Sequence, residues 1–97
     1  MVQINWTNQA VLDLKEIAKY ISRDSLSYAK IQIKRIKHRT NILKQNPFSG
    51  QKMDFFNNPE IRQLVTGNYI IIYKIKSETR IDIWQYIIRP EIYLEGN

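Results

Sequence analysis

Residues 61–88 read IRQLVTGNYIIIYKIKSETRIDIWQYII, and two turns cut this stretch into three strands. Thr66-Gly67-Asn68 is the first turn, since Gly and Asn tolerate the left-handed backbone that a tight hairpin demands. Lys76 to Thr79 forms the second. Between and beyond them the chain is dense in Ile, Tyr and Trp, which pack well on a pleated surface. Consecutive hairpins make the three strands an antiparallel meander. Along the last strand, period-two alternation sets Ile81, Ile83 and Ile87 on one side, with Asp82, Trp84 and Tyr86 on the other. The first side is the expected core face, and the second is an open face carrying polar aromatics.

Upstream, Val2, Ile4 and Trp6 alternate with polar residues and predict another strand. Thr7 or Asn8 then caps a helix whose Val11, Leu14, Ile17, Ala18 and Ile21 share one face, leaving Asp13, Lys15, Glu16 and Lys19 to water. The pattern restarts at Asp24-Ser25, and Ala29, Ile33, Ile36, Thr40 and Leu43 mark a second, longer helix. Pro47 and Gly50 end it and open a loop to Pro59, pinned by Phe48, Met53, Phe55 and Phe56. The order is βααβββ. The expected fold class is α+β, one domain over residues 1–97, with a helical hairpin packed on a mainly antiparallel four-stranded twisted sheet.

The bulk composition narrows the function. Ninety-seven residues support one core but no deep cleft between lobes, so a surface site is expected. There is no Cys and one His, His38, which excludes a disulfide framework and leaves no candidate metal ligand set. No Gly-rich phosphate loop, nucleophile elbow or cofactor motif is present, and neither a cofactor nor a small-molecule substrate is expected. The lack of Cys, of a signal-like start and of a long apolar run points to the cytoplasm and away from membranes.

Fifteen Lys and Arg against nine Asp and Glu give a net charge of +6. Lys30, Lys34, Arg35, Lys37, Arg39, Lys44 and Lys52 fall between Ser25 and Met53, where there is no acid. This basic segment, through Lys30, Lys34, Arg35, Lys37 and Lys52, is the candidate surface for an acidic partner or a nucleic acid. Its helix also reads as a solvated face whose Lys stems cover apolar surface. A different chemistry, metal-free cleavage of RNA, needs a base, an acid and fixed cations around the phosphate. Arg62, Arg89, Tyr86 and Tyr93, placed near the open face of the meander, are the candidate catalytic groups. Tyr86 and Trp84 equally suit plain sheet packing, and Tyr69 and Tyr73 alternate with Ile as core residues do.

Taken in order, Trp6-Thr7, Ala10, Asp13-Leu14, Ile17, Tyr20-Ile21, Asp24-Ser25, Pro47-Phe48, Gly50, Ile61-Arg62, Leu64 and Gly67 through Tyr73 resemble the RelE/ParE superfamily of toxins from bacterial type II toxin–antitoxin systems. The resemblance covers nearly the whole chain. It implies a basic, growth-inhibiting toxin with a part in plasmid stabilisation, silenced by a co-encoded, acidic antitoxin that wraps it with a helix or strand. ParE-like members inhibit DNA gyrase, whereas RelE-like members cut mRNA on the ribosome.

The link Tyr20-Ile21 to Asp24-Ser25 is closer to the ParE branch. At position 70 the family's ribonucleases carry an Arg for the scissile phosphate, and here stands Ile70. Three residues before Arg89, where the family often has His, stands Tyr86. Arg62, Arg89 and Tyr93 match family positions, which keeps a ribosome-dependent endoribonuclease as the alternative. A decayed toxin that only binds its antitoxin is a further one.

Overall fold

The computed structural model describes residues 2–53 and 57–88. The elements are β1 (Gln3–Trp6), α1 (Asn8–Ser22), α2 (Leu26–Asn41), a single 3-10 turn (Ile42–Lys44), β2 (Gln51–Lys52), β3 (Ile61–Thr66), β4 (Tyr69–Ser77) and β5 (Arg80–Ile88). They form one mixed sheet in the order β1-β5-β4-β3-β2, with β1 parallel to β5 and every other pair antiparallel. The α+β architecture with its helical hairpin is as the sequence predicts. The sheet gains a fifth strand, because Gln51–Lys52 pairs with Arg62 and Gln63 at the edge. Two residues are too few to show a period, so they read as loop.

Both helices start where a side chain can replace a missing backbone partner. Thr7 Oγ1 accepts from the Ala10 N–H at 3.2 Å, and Ser25 Oγ accepts from the Tyr28 N–H at 3.1 Å. Thr7 also fastens the helix start to the sheet, donating through its hydroxyl to the Ile83 carbonyl at 2.7 Å. The core lies between helices and sheet: Ala10, Leu14 and Ile17 of α1 and Ile36 of α2 meet Ile4, Leu64, Ile71, Tyr73, Ile75, Ile81 and Ile83. Among the described residues no helix is long and apolar enough to cross a membrane.

One insertion changes which residues share a face. Tyr73 pairs with Ile83 but Ile72 pairs with Gln85, so Trp84 is an extra residue in β5. Below this bulge Ile81 and Ile83 point to the helices; above it the phase reverses and Tyr86 joins them, only 4% exposed. Directly paired residues lie on one side of a sheet. Trp6, Ile83, Tyr73, Arg62 and Lys52 therefore form one helix-side row, and Leu64, Ile71 and Tyr86 another. The expected placement of Arg62 and Tyr86 near the open face is corrected: both belong to the helix side. The outer face instead carries the row Val65, Ile70 and Ile87.

Candidate functional site

Tyr86 sits at the centre of a hydrogen-bonded chain. Trp6 Nε1 donates to the Tyr86 hydroxyl at 2.8 Å, the Tyr86 and Thr40 hydroxyls are 3.0 Å apart, and the Thr40 hydroxyl donates to the Ile36 carbonyl at 2.8 Å. Indole is only a donor and Thr40 spends its one proton on Ile36, so Tyr86 must donate to Thr40. The phenol thus joins β1, β5 and α2. Burial is the main reason its pKa lies above the ordinary tyrosine value, with the bonds to Thr40 and Trp6 pulling the other way. A phenol with its proton already given to Thr40 and its lone pair to Trp6 is a packing strut. The Tyr86 N–H donates to Asp13 Oδ2 at 3.0 Å, so Asp13 caps a strand edge where the sequence left it to water.

Arg62 is similarly engaged. Its Nη1 donates to the Gly50 carbonyl at 2.9 Å and the Phe48 carbonyl at 3.2 Å, and its guanidinium carbon lies 5.0 Å from the centre of the Phe48 ring. The Tyr73 hydroxyl, across the strand pair, accepts from the Gly50 N–H at 2.9 Å and donates to the Pro47 carbonyl at 2.8 Å. Burial chiefly raises the Tyr73 pKa, against the lowering effects of the Gly50 hydrogen bond and the Arg62 charge. Together the two side chains clamp residues 47–50 over the end of the sheet. Arg89 and Tyr93 lie outside the described residues.

The basic segment divides in three. Lys30, Lys34 and Lys37 follow one another along the side of α2 that meets α1. Arg35 is exposed and does not line that seam, and Lys52 lies near Pro59 on β2, the sheet edge opposite β1. The seam itself is an apolar groove. One recess, of about 470 Å³, is lined by Trp6, Val11, Leu14 and Ala18 with Ile33, and its rim bears Lys15 and Lys37. A second, of about 440 Å³, continues past the shared Ala18 and Ile33 to Leu26 and Ala29, rimmed by Lys19, Lys30 and Lys34.

Five lysines and no acid therefore border the groove. Leu26 at its end is 63% exposed and extends the apolar floor of the groove to the surface. Lys15, Lys19 and Trp6 were not among the sequence candidates. The signal was there in Lys15 and Lys19, four apart and beside Val11 and Ala18 on the helix.

Such a groove binds by covering apolar side chains while its ammonium rim selects for negative charge. Comparison with known proteins gives the site a context. The profile described as "ParE toxin of type II toxin-antitoxin system, parDE" matches residues 4–89. Among solved structures, a chain of the chromosomal ParDE toxin–antitoxin system from P. aeruginosa superposes with a TM-score of 0.75 at 21% identity, covering 92% of this chain and 97% of that one. No curated protein matches the sequence.

Proposed function

The chain belongs to the ParE toxin family of type II toxin–antitoxin systems, and from that premise we propose that it inhibits DNA gyrase by binding, and that an antitoxin silences it by occupying the lysine-rimmed groove. The observation that carries the reading is the state of Arg62 and Tyr86, the two candidate cleavage groups among the described residues. Arg62 Nη1 is held by the carbonyls of Phe48 and Gly50, leaving the buried Nε without a partner, and the Tyr86 phenol is taken up by Thr40 and Trp6. Ile70, at the position where a ribonuclease of this superfamily is expected to hold a cation, lies in an aliphatic row with Val65 and Ile87. Aliphatic carbon cannot stabilise the charge that builds on a phosphate during cleavage. These placements favour binding over RNA cutting.

The groove supports the second half of the reading. Its lining is mainly apolar, its charged residues are all lysines, and an acidic antitoxin segment complements both. In the test, the chain is expressed alone and with its co-encoded antitoxin. Growth arrest with induction of the DNA-damage response, relieved by the antitoxin, is the expected outcome. Arrest with loss of ribosome-bound mRNA would replace the gyrase reading by the ribonuclease one. Charge reversal at Lys34 and Lys37 should weaken antitoxin relief while leaving the toxin active.

A further inference from the structure

We infer that the flank of α2 turned away from the groove, the stripe Tyr28, Gln32, Arg35, Arg39 and Ile42, grips the phosphate backbone of duplex DNA. The setting in which the stripe meets DNA rests on the gyrase reading above; the contact itself does not.

Three stripes run along α2 and the 3-10 turn that continues it, each at the helical period. Ala29, Ile33, Ile36, Thr40 and Leu43 form the first, which is buried apart from the half-buried Ile33. One position further on, Lys30, Lys34, Lys37 and Asn41 line the groove against α1. One position back stand Tyr28, Gln32, Arg35, Arg39 and Ile42. A single step turns about 100° around a helix, so the groove stripe and this last one lie on opposite sides of the core stripe. It is open to solvent: Tyr28 is 50% exposed, Arg35 is exposed, and Gln32, Arg39 and Ile42 are half-buried.

Arg35 and Arg39 are four apart, which sets their Cβ atoms about 6 Å from each other on one face. No acid lies between Ser25 and Met53, and among the described residues the one salt bridge joins Arg80 to Asp82. Both guanidinium groups are therefore free to take an anion from outside. The groove rim is lysine throughout, whereas this flank carries arginine, whose planar fork matches the oxygens of a phosphate two at a time.

A helix face is convex and fits a grooved partner. The major groove of duplex DNA, about 12 Å wide, admits an α-helix and is edged by phosphates. From Tyr28 to Ile42 the stripe spans about 21 Å at the helical rise, with the two Arg in its middle and apolar side chains at its ends for the sugars. An acidic protein would have to bring both a groove and fixed charges, and the acidic antitoxin segment is already placed on the other side of α2. A grip on the backbone is independent of base sequence and weakens with salt. A toxin seated on gyrase has that backbone at hand.

The test follows fluorescence anisotropy of a labelled duplex of about 20 base pairs and arbitrary sequence, titrated with the full chain between about 50 and 200 mM salt. Arg35→Gln with Arg39→Gln should weaken binding roughly tenfold at the low-salt end and make the log–log salt slope shallower by about two. Arg35→Gln alone, at the fully exposed position, should make it shallower by about one and serves where the double variant does not fold. Lys74→Gln with Lys76→Gln removes the same charge from β4 and should leave affinity within about twofold of the parent. Equal losses in the two double variants would overturn the stripe, since net charge alone would then explain binding. Competition by polyglutamate as effective as that of unlabelled duplex, or tighter binding of single-stranded RNA, would overturn duplex DNA as its partner.

A supercoiling assay with gyrase separates the two readings. If the parent inhibits and the Arg35→Gln, Arg39→Gln chain needs roughly tenfold more protein to do so, the stripe works on gyrase-held DNA. Equal inhibition by both chains sinks the stripe and spares the gyrase reading. No inhibition by the parent, with duplex binding still lost only in the stripe variant, sinks the gyrase reading and upholds the stripe.

Discussion

Replacing Tyr86 by Phe keeps the ring and deletes one oxygen, and its consequence follows from where that oxygen sits. The side chain is 4% exposed, and its hydroxyl is the acceptor for Trp6 Nε1 and the donor to Thr40. Deletion leaves two polar groups short of a partner. Each fully buried orphan costs about 1–3 kcal/mol, and one that water can reach costs less. Trp6 is half-buried and Thr40 fully so, and the Thr40 hydroxyl retains its bond to the Ile36 carbonyl. The expected loss is therefore about 1–2 kcal/mol in total. For a chain of this length that lowers Tm by roughly 5–12 °C.

The assay is reversible urea unfolding followed by tryptophan fluorescence, where the midpoint should fall with an unchanged slope. Gyrase inhibition at a temperature where the variant stays folded should match the parent. An unshifted midpoint together with abolished toxicity would make the phenol a working group instead of a strut.

Three other outcomes follow from the same geometry. A Cβ at Gly50 would stand 2.6 Å from the Tyr73 hydroxyl and 2.8 Å from the Gln63 carbonyl, and neither can retreat, so Gly50→Ala should cost about 2 kcal/mol or more by urea unfolding. Arg62→Ala frees the carbonyls of Phe48 and Gly50 and should destabilise by about 1–2 kcal/mol, with hydrogen exchange of the Gly50 amide accelerated more than that of β4. The phenols of Tyr69, Tyr73 and Tyr86 all sit above the ordinary value near 10, chiefly because burial disfavours phenolate. Unfolding returns them to about 10, so their share of stability is intact below that pH and drains away as pH rises through the higher folded values. The urea midpoint should hold from pH 8 to about 9.5 and then fall, less steeply in Tyr86→Phe.

Much of this was legible in the residues. The Gly67-Asn68 turn, the cap pairs Thr7-Asn8 and Asp24-Ser25, of which Thr7 and Ser25 do the capping, and the 3.6-residue stripes of both helices placed every long element. What escaped reading has a common physical cause, which is that single-residue events leave no periodic trace. The bulge at Trp84 reverses the alternation, and so Tyr86, written next to Trp84 on an open face, ends in the core. Asp13 looks like a solvent residue in α1 and becomes the partner of a strand-edge N–H, because tertiary packing brings β5 to it. The Lys30, Lys34 and Lys37 series was visible as charge. Its meaning as a rim needed the second wall, with Lys15 and Lys19, that only the hairpin supplies.

Binding to gyrase and cutting of RNA part company in one pair of assays. The purified chain is added, in parallel, to DNA gyrase in a supercoiling reaction and to ribosomes carrying mRNA. Supercoiling should be lost as the toxin is titrated, and the mRNA should stay intact. Cut mRNA with gyrase unaffected would replace binding by cleavage as the mode of action.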